Sequence, residues 1–161
     1  MGGFTRMWSI EFATADDAKG ILAVQRTAFS ENQSHYRFPL PAMVEGVEHI
    51  DQEIARDVVL VARQGSEVIG SVRFDVRGDE CETYYLAVSP AYSNLAVGRA
   101  LISRAEAEAL SRGAKRMTAK PGLLDAAAIE FYMKIGYRPV QLITDPQREY
   151  EQVELEKRMV D

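Results

Sequence analysis

The sequence predicts an α/β (α+β) fold whose elements follow the order β-α-α-β-β-β-α-β-α-β-β over residues 1–161. Three observations carry this. Within the stretches Thr14–Phe29 and Pro41–Ile54 apolar residues recur at helical spacing, and the period changes to that of strands from Val58 onward. Two Gly-centred turns, Gln64-Gly65-Ser66 and Arg77-Gly78-Asp79, cut the strand-like stretch into consecutive antiparallel pieces. Beyond Val88, helical and strand patterns alternate, with Gly113 and Gly136 closing the two helices.

Each element has its own signal. Trp8, Ile10 and Phe12 alternate with Ser9 and Glu11, the pattern of a half-buried strand. Thr14 reads as an N-cap, with Asp16 and Asp17 in the first turn, where the helix dipole favours acids. Ile21, Leu22, Val24, Gln25 and Ala28 continue that helix to about Phe29, and the polar and aromatic stretch from Ser30 to Leu40 reads as a loop. Pro41 opens a second helix carrying Met43, Val47, Ile50 and Ile54. Val58–Ala62 and Val68–Phe74 form a hairpin, and a strand from Cys81 to Val88 follows. A helix from about Ala96 to Arg112 comes next, then a strand over Arg116–Lys120, halted by Pro121-Gly122. Asp125–Lys134 is helical, and Tyr137–Ile143 and Tyr150–Met159 are the last strands.

Composition narrows the function. The length suits a single domain over residues 1–161. The 19 Lys and Arg are scattered among 24 Asp and Glu, for a net charge of −5, which argues against nucleic acid as a partner. No apolar run approaches membrane-spanning length, and the N-terminus lacks a signal-peptide core, so the expected location is cytoplasmic. Cys81 is the only cysteine, which rules out an internal disulfide and argues against a zinc site; no metal is expected.

The most informative stretch runs from Tyr85 to Ile102: an apolar strand, a Ser89-Pro90 break, a short loop, then a helix. A helix opening straight from a loop leaves its first N–H groups unpaired and its positive dipole end exposed, a site suited to a pyrophosphate. This order resembles the acetyl-CoA-binding segment of the GCN5-related N-acetyltransferase (GNAT) family. The family's loop is usually Arg/Gln-x-x-Gly-x-Gly/Ala, and Ser93-Asn94-Leu95-Ala96-Val97-Gly98 matches it only at the last position. A second stretch, Asp125-Ala126-Ala127-Ala128-Ile129-Glu130-Phe131-Tyr132-Met133-Lys134-Ile135-Gly136-Tyr137, is similar to the family's Asn-x-x-Ala-x-x-Phe-Tyr-x-Lys-x-Gly-Phe/Tyr, with Asp125 in place of Asn.

The resemblance implies a mixed sheet, antiparallel first and parallel where two central strands diverge around the cofactor. It implies acetyl-CoA as acyl donor, its pantetheine arm against the backbone of Leu86, Ala87 and Val88. Its phosphates would meet Ser93, Asn94, Leu95, Ala96, Val97, Gly98 and Arg99, with Asp125 and Tyr132 nearby. The acceptor pocket falls at Phe29, His35, Tyr36 and Tyr84. Tyr132 takes the family's role of general acid toward the CoA sulfur, and Glu82 that of base. The chemistry is reasonable for both. A thiol of pKa about 8.5 and a phenol of about 10 are close enough for positioning to decide proton transfer. An alkylammonium of pKa about 10.4 leaves only roughly one amine in a few thousand reactive at pH 7, so a base is required. Glu80, Glu82, Tyr84 and Leu86 share one face if their strand is regular.

The expected activity is acetyl transfer from acetyl-CoA to a primary amine of a small molecule or peptide, directly rather than through a covalent intermediate, since Cys81 falls outside the expected cleft. The eroded loop leaves a second reading open, a non-catalytic acyl-CoA-binding or regulatory relative. A homodimer is compatible with the sequence but not required by it.

Overall fold

The computed structural model describes residues 8–93, 96–147 and 150–160. Strands β1 (Ser9–Phe12), β2 (Val59–Gln64), β3 (Glu67–Arg77), β4 (Glu80–Val88), β5 (Arg116–Ala119), β6 (Arg138–Asp145) and β7 (Tyr150–Arg158) form a sheet in the order β1-β2-β3-β4-β5-β7-β6. Helices α1 (Ala18–Gln33), α2 (Pro41–Val44), α3 (Val47–Ile54), α4 (Val97–Ser111) and α5 (Ala126–Lys134) pack on it. Among the described residues no helix is long and apolar enough to cross a membrane.

Two apolar cores lie on opposite faces of the sheet. Ile21, Val24, Ile50 and Ile54 of α1 and α3 pack on Val59, Val61 and Ala87. Leu101, Ile102, Ala105 and Ala109 of α4 pack on Leu60, Val72, Phe74 and Met117, with Tyr132 and Tyr137 completing that cluster. Thr14 caps the first helical turn through a reciprocal capping box with Asp17, as its sequence position implied.

The mixed sheet follows the expected plan. All neighbouring pairs are antiparallel except β4–β5, which is parallel from Glu80↔Arg116 to Thr83↔Ala119. Beyond that pair β5 ends and the chain turns off at Pro121-Gly122, while β4 continues to Val88. The two strands therefore part at Thr83 and Ala119.

Three sequence expectations are corrected. The first helix runs past Phe29 to Gln33, and the Ser30 and Ser34 hydroxyls bond back to the carbonyls of Thr27 and Glu31. Gln33 then ties the following loop to the helix end through Phe38 O at 2.8 Å and Leu40 N at 2.7 Å. The second helix is not continuous from Pro41 to Ile54. It is interrupted at Glu45, whose ψ of 141° is extended, and at Gly46, which caps α3. The break turns the Glu45 carboxylate inward to the guanidinium of Arg73.

The third correction concerns β4. Ser71 pairs with Ala87 and Arg73 with Tyr84, so Val72 faces two residues, Tyr85 and Leu86. This β-bulge puts Tyr85 at φ +52°. Alternation resets there: Ala87, rather than Leu86, joins the face shared by Glu82 and Tyr84.

Candidate active site

The parting of β4 and β5 opens a cavity of about 730 Å³. Its floor is β4 from Glu82 to Leu86, one wall is the C-terminal half of α1, and the other is the Ala119–Gly122 turn and the start of α5. Of the residues expected at a site, Phe29, His35, Glu82, Tyr84, Leu86, Asp125 and Tyr132 all line this cavity.

Tyr132 reaches it from α5 and is only 5% exposed. The helix is fixed at its start by Asp125, whose carboxylate accepts from Ala128 N at 3.2 Å. Phe131 and Tyr137 pack edge-on against the Tyr132 ring, with centroids 5.2 Å away in each case. Burial pushes the Tyr132 phenol up to about 12, against the lowering effect of the Thr83 side chain. Tyr132 is therefore protonated at neutral pH and able to donate. A thiolate brought to the same place feels the same desolvation, so the gap between donor and acceptor is not widened by burial alone. Burial also raises the Asp125 carboxyl, opposed by its bond to Ala128.

Glu82 is half-buried and engaged: its Oε1 accepts from Lys120 Nζ at 3.1 Å, and Lys120 lies 3.9 Å from Glu154. The Tyr84 hydroxyl donates to Glu53, which sequence reasoning did not single out. Glu53 belongs to a buried cluster of Arg73, Glu45 and Gln25. Arg73, fully buried, donates to Glu45 Oε2 at 2.6 Å and stacks on the Tyr85 ring at 4.7 Å from its centroid. Despite burial, its bonds to Arg73, Gln25 and His49 hold Glu45 down at about 2. A signal for this cluster was present in the sequence: Arg73 stands alone between Val72 and Phe74 in an apolar run, and such a residue needs a buried partner.

Several expected residues are not at the cavity. Tyr36 lies one ring behind it, packed edge-on to the cavity-lining Tyr150 with centroids 5.1 Å apart. Its hydroxyl sits 2.6 Å from where a Cβ on Gly122 would be, so that glycine is required for the wall to close. Ala87 and Val97, 2% and 0% exposed, point into the two cores and offer only backbone to a ligand. Val88 also packs against the α4-side core. Ser93, Ala96, Gly98 and Arg99 lie along the β4–α4 connection and first turn of α4, away from the cavity lining. Asn94 and Leu95 fall outside the described residues. Ala96 adopts φ +60° at the N-cap of α4, and among the described residues no side chain caps the first N–H groups of that helix. A Cβ at Gly98 would rest against the Phe131 ring at 3.4 Å, an ordinary packing contact between α4 and α5. Cys81 is buried, and burial pushes its thiol up to about 12, the condition of an inert side chain.

A mixed sheet split at its central pair, a helix opening after β4 and a phenol reaching the cleft from α5 together make an α/β fold with a cavity-centred candidate site. The family model of the acetyltransferase (GNAT) family matches residues 19–137, and the chain belongs to that family. An acetyltransferase of Pectobacterium atrosepticum is 34% identical over 88 residues, covering 55% of this chain; the match spans 62% of that relative's length. Among solved structures, PaiA N-acetyltransferase of Thermoplasma acidophilum in complex with coenzyme A superposes with a TM-score of 0.80 at 18% identity, covering 94% of this chain and 98% of that one. The yncA protein of Salmonella typhimurium with its cofactor acetyl-CoA gives 0.77 at 20% identity, covering 96% and 95%. These structural likenesses show a shared fold.

Proposed function

We propose that this protein moves the acetyl group of acetyl-CoA directly to a primary amine of a small molecule or peptide. The observation that carries the reading is Tyr132, a buried, protonated phenol set in the cavity where β4 and β5 part. Acetyl-CoA would lie along the α4–α5 side. Its phosphates would meet the first N–H groups of α4, near Arg99, and its pantetheine arm the backbone of the bulged end of β4. The acceptor would enter from the α1 side, between Phe29, His35 and Tyr84.

In the reaction the amine nitrogen bonds to the thioester carbonyl carbon, and the carbon–sulfur bond breaks. The departing thiolate takes the Tyr132 proton. The nitrogen of the tetrahedral intermediate sheds a proton that restores the phenol. The ammonium must lose one earlier proton to become a nucleophile, and Glu82 is the carboxylate the sequence offers for it. The test is thiol release from acetyl-CoA with a panel of primary amines: turnover is expected, and Tyr132→Phe should suppress it. The binding-only reading is favoured by the loss of the loop's customary residues: the short, exposed Ser93 turns its hydroxyl to Pro90 O, at 3.1 Å. Acetyl-CoA binding without turnover of any amine would support it.

A further inference from the structure

On the acceptor side, a chain of side chains runs from the cavity to solvent. Tyr84 lines the cavity and its hydroxyl donates to Glu53 Oε2. The other carboxylate oxygen of Glu53 faces Arg73 Nη1 at 3.2 Å and His49 Nε2 at 3.7 Å. The His49 side chain is 56% exposed. The carboxylate thus bridges a cavity-lining phenol and a surface imidazole. Glu82, by comparison, already accepts from Lys120, so an ammonium there meets a cation.

The surrounding charges suit a relay. Arg73 makes its closest contacts with Glu45, through both guanidinium nitrogens, and Glu53 is its looser partner. Glu45, His49 and Glu53 place ligand atoms within 4.8 Å of one another, but Arg73 already supplies the positive charge between the two carboxylates. The other titratable groups facing the pair are Tyr85, under Arg73, and Asp75, near Tyr84. Burial and the Glu53 charge push the Tyr84 phenol well above its usual range. Tyrosinate is therefore not the base. The phenol can accept a proton only while handing its own to Glu53.

Resting on the amine-acetylation reading above, we propose that Tyr84 and Glu53 carry away the first proton of the acceptor ammonium, and that His49 is its exit. The ammonium N–H donates to Tyr84 Oη as the Tyr84 proton moves to Glu53 Oε2, leaving a neutral amine, a neutral phenol and a protonated carboxyl. Glu53 is restored when that proton passes through His49 to water. One proton leaves by this route, and the second, shed by the tetrahedral intermediate, ends on the CoA sulfur through Tyr132. Tyr84 touches the substrate; Glu53 acts through it as a positioning and relay residue.

The test is the pH–rate profile of thiol release from acetyl-CoA with butylamine, tyramine, 1,4-diaminobutane or an alanyl peptide, whichever is turned over fastest. Tyr84→Phe and Glu53→Gln should each lower kcat about 10²-fold at pH 7, the scale of a lost proton-transfer group. Both deficits should shrink toward pH 10, where the amine deprotonates itself. KM for acetyl-CoA should stay within a few-fold of wild type, which a general disturbance of the fold would not allow. His49→Ala should slow turnover by a smaller factor, with partial rescue by imidazole buffer. Should Glu53→Gln fail to fold, Tyr84→Phe, which keeps the ring, decides. A Tyr84→Phe profile that overlays wild type, alongside a pH-dependent loss in Glu82→Gln, overturns the route and assigns the proton to Glu82. No turnover of any amine by the wild-type protein overturns the acetylation reading itself, and the route with it.

Discussion

The two faces of the central sheet are built on different physics. Against α1 and α3 the buried groups include Arg73, Glu45, Glu53 and Gln25, charged or polar and bonded to one another. Against α4 the core is apolar, from Leu101 and Ala109 to Phe74 and Met117; Glu106 pairs with Lys157 at its rim and accepts a hydrogen bond from the Tyr137 hydroxyl. An apolar layer is held by area removed from water and is indifferent to pH; a buried ion cluster stands only while its members keep their charges. The difference suits a cleft whose α1 side would receive a cation and whose α4 side would hold a neutral pantetheine arm.

The stability of the two faces should separate with pH. Glu45→Gln leaves Arg73 without its closest partner and should cost about 3–5 kcal/mol at pH 7 in chemical denaturation. In the wild type the stability from Glu45 is fully present above its unfolded value of 4.5 and is lost as pH falls toward its folded value of about 2. The gap between wild type and Glu45→Gln should therefore narrow across that window. Leu101→Ala on the other face should cost about 2–5 kcal/mol with no such narrowing. Parallel pH profiles for the two variants would erase the distinction.

The next effect is kinetic. Tyr132→Phe should lower kcat by about 10²-fold or more while leaving KM for acetyl-CoA nearly unchanged, because the phenol acts on the leaving thiolate rather than on binding. An unchanged kcat would remove α5 from the chemistry.

The helix starts give the smaller effects. At α5 the Asp125 carboxylate occupies Ala128 N, whereas at α4 no side chain among the described residues caps the first turn. Asp125→Ala should destabilise the fold by about 1 kcal/mol, read as a lower Tm. Ala96→Gly should do the reverse by less than about 1 kcal/mol: relief of a left-handed alanine, about 1–2 kcal/mol, is partly offset by glycine's greater chain entropy. It should tighten acetyl-CoA binding measured by calorimetry if the start of α4 holds the phosphates, and leave it unchanged if it does not.

What could be read in advance was whatever the chain specifies locally. Thr14 with Asp17, Pro41, the Gly65 and Gly78 turns and the α5 pattern from Asp125 to Tyr137 act through neighbours a few residues away, so the element order and the seven strands followed from them. The cavity-lining positions of Glu82, Tyr84, Asp125 and Tyr132 could be anticipated on other grounds, from the resemblance of the β4 and α5 stretches to the family's motifs rather than from the chain's own periodicity. The tertiary structure alone decided the rest. The bulge at Tyr85 carries no glycine to announce it and shows only in the pairing of β4 with β3, just beyond the last β4–β5 pair at Thr83 and Ala119. The break at Glu45 exists because Arg73, 28 residues away, needs a buried carboxylate, and an unpaired buried charge costs more than a broken helix. Glu53 and His49 look like ordinary polar helix positions in sequence. Only the packing of α3 against β3 and β4 brings them to Tyr84, because interactions between distant segments leave no period in the chain.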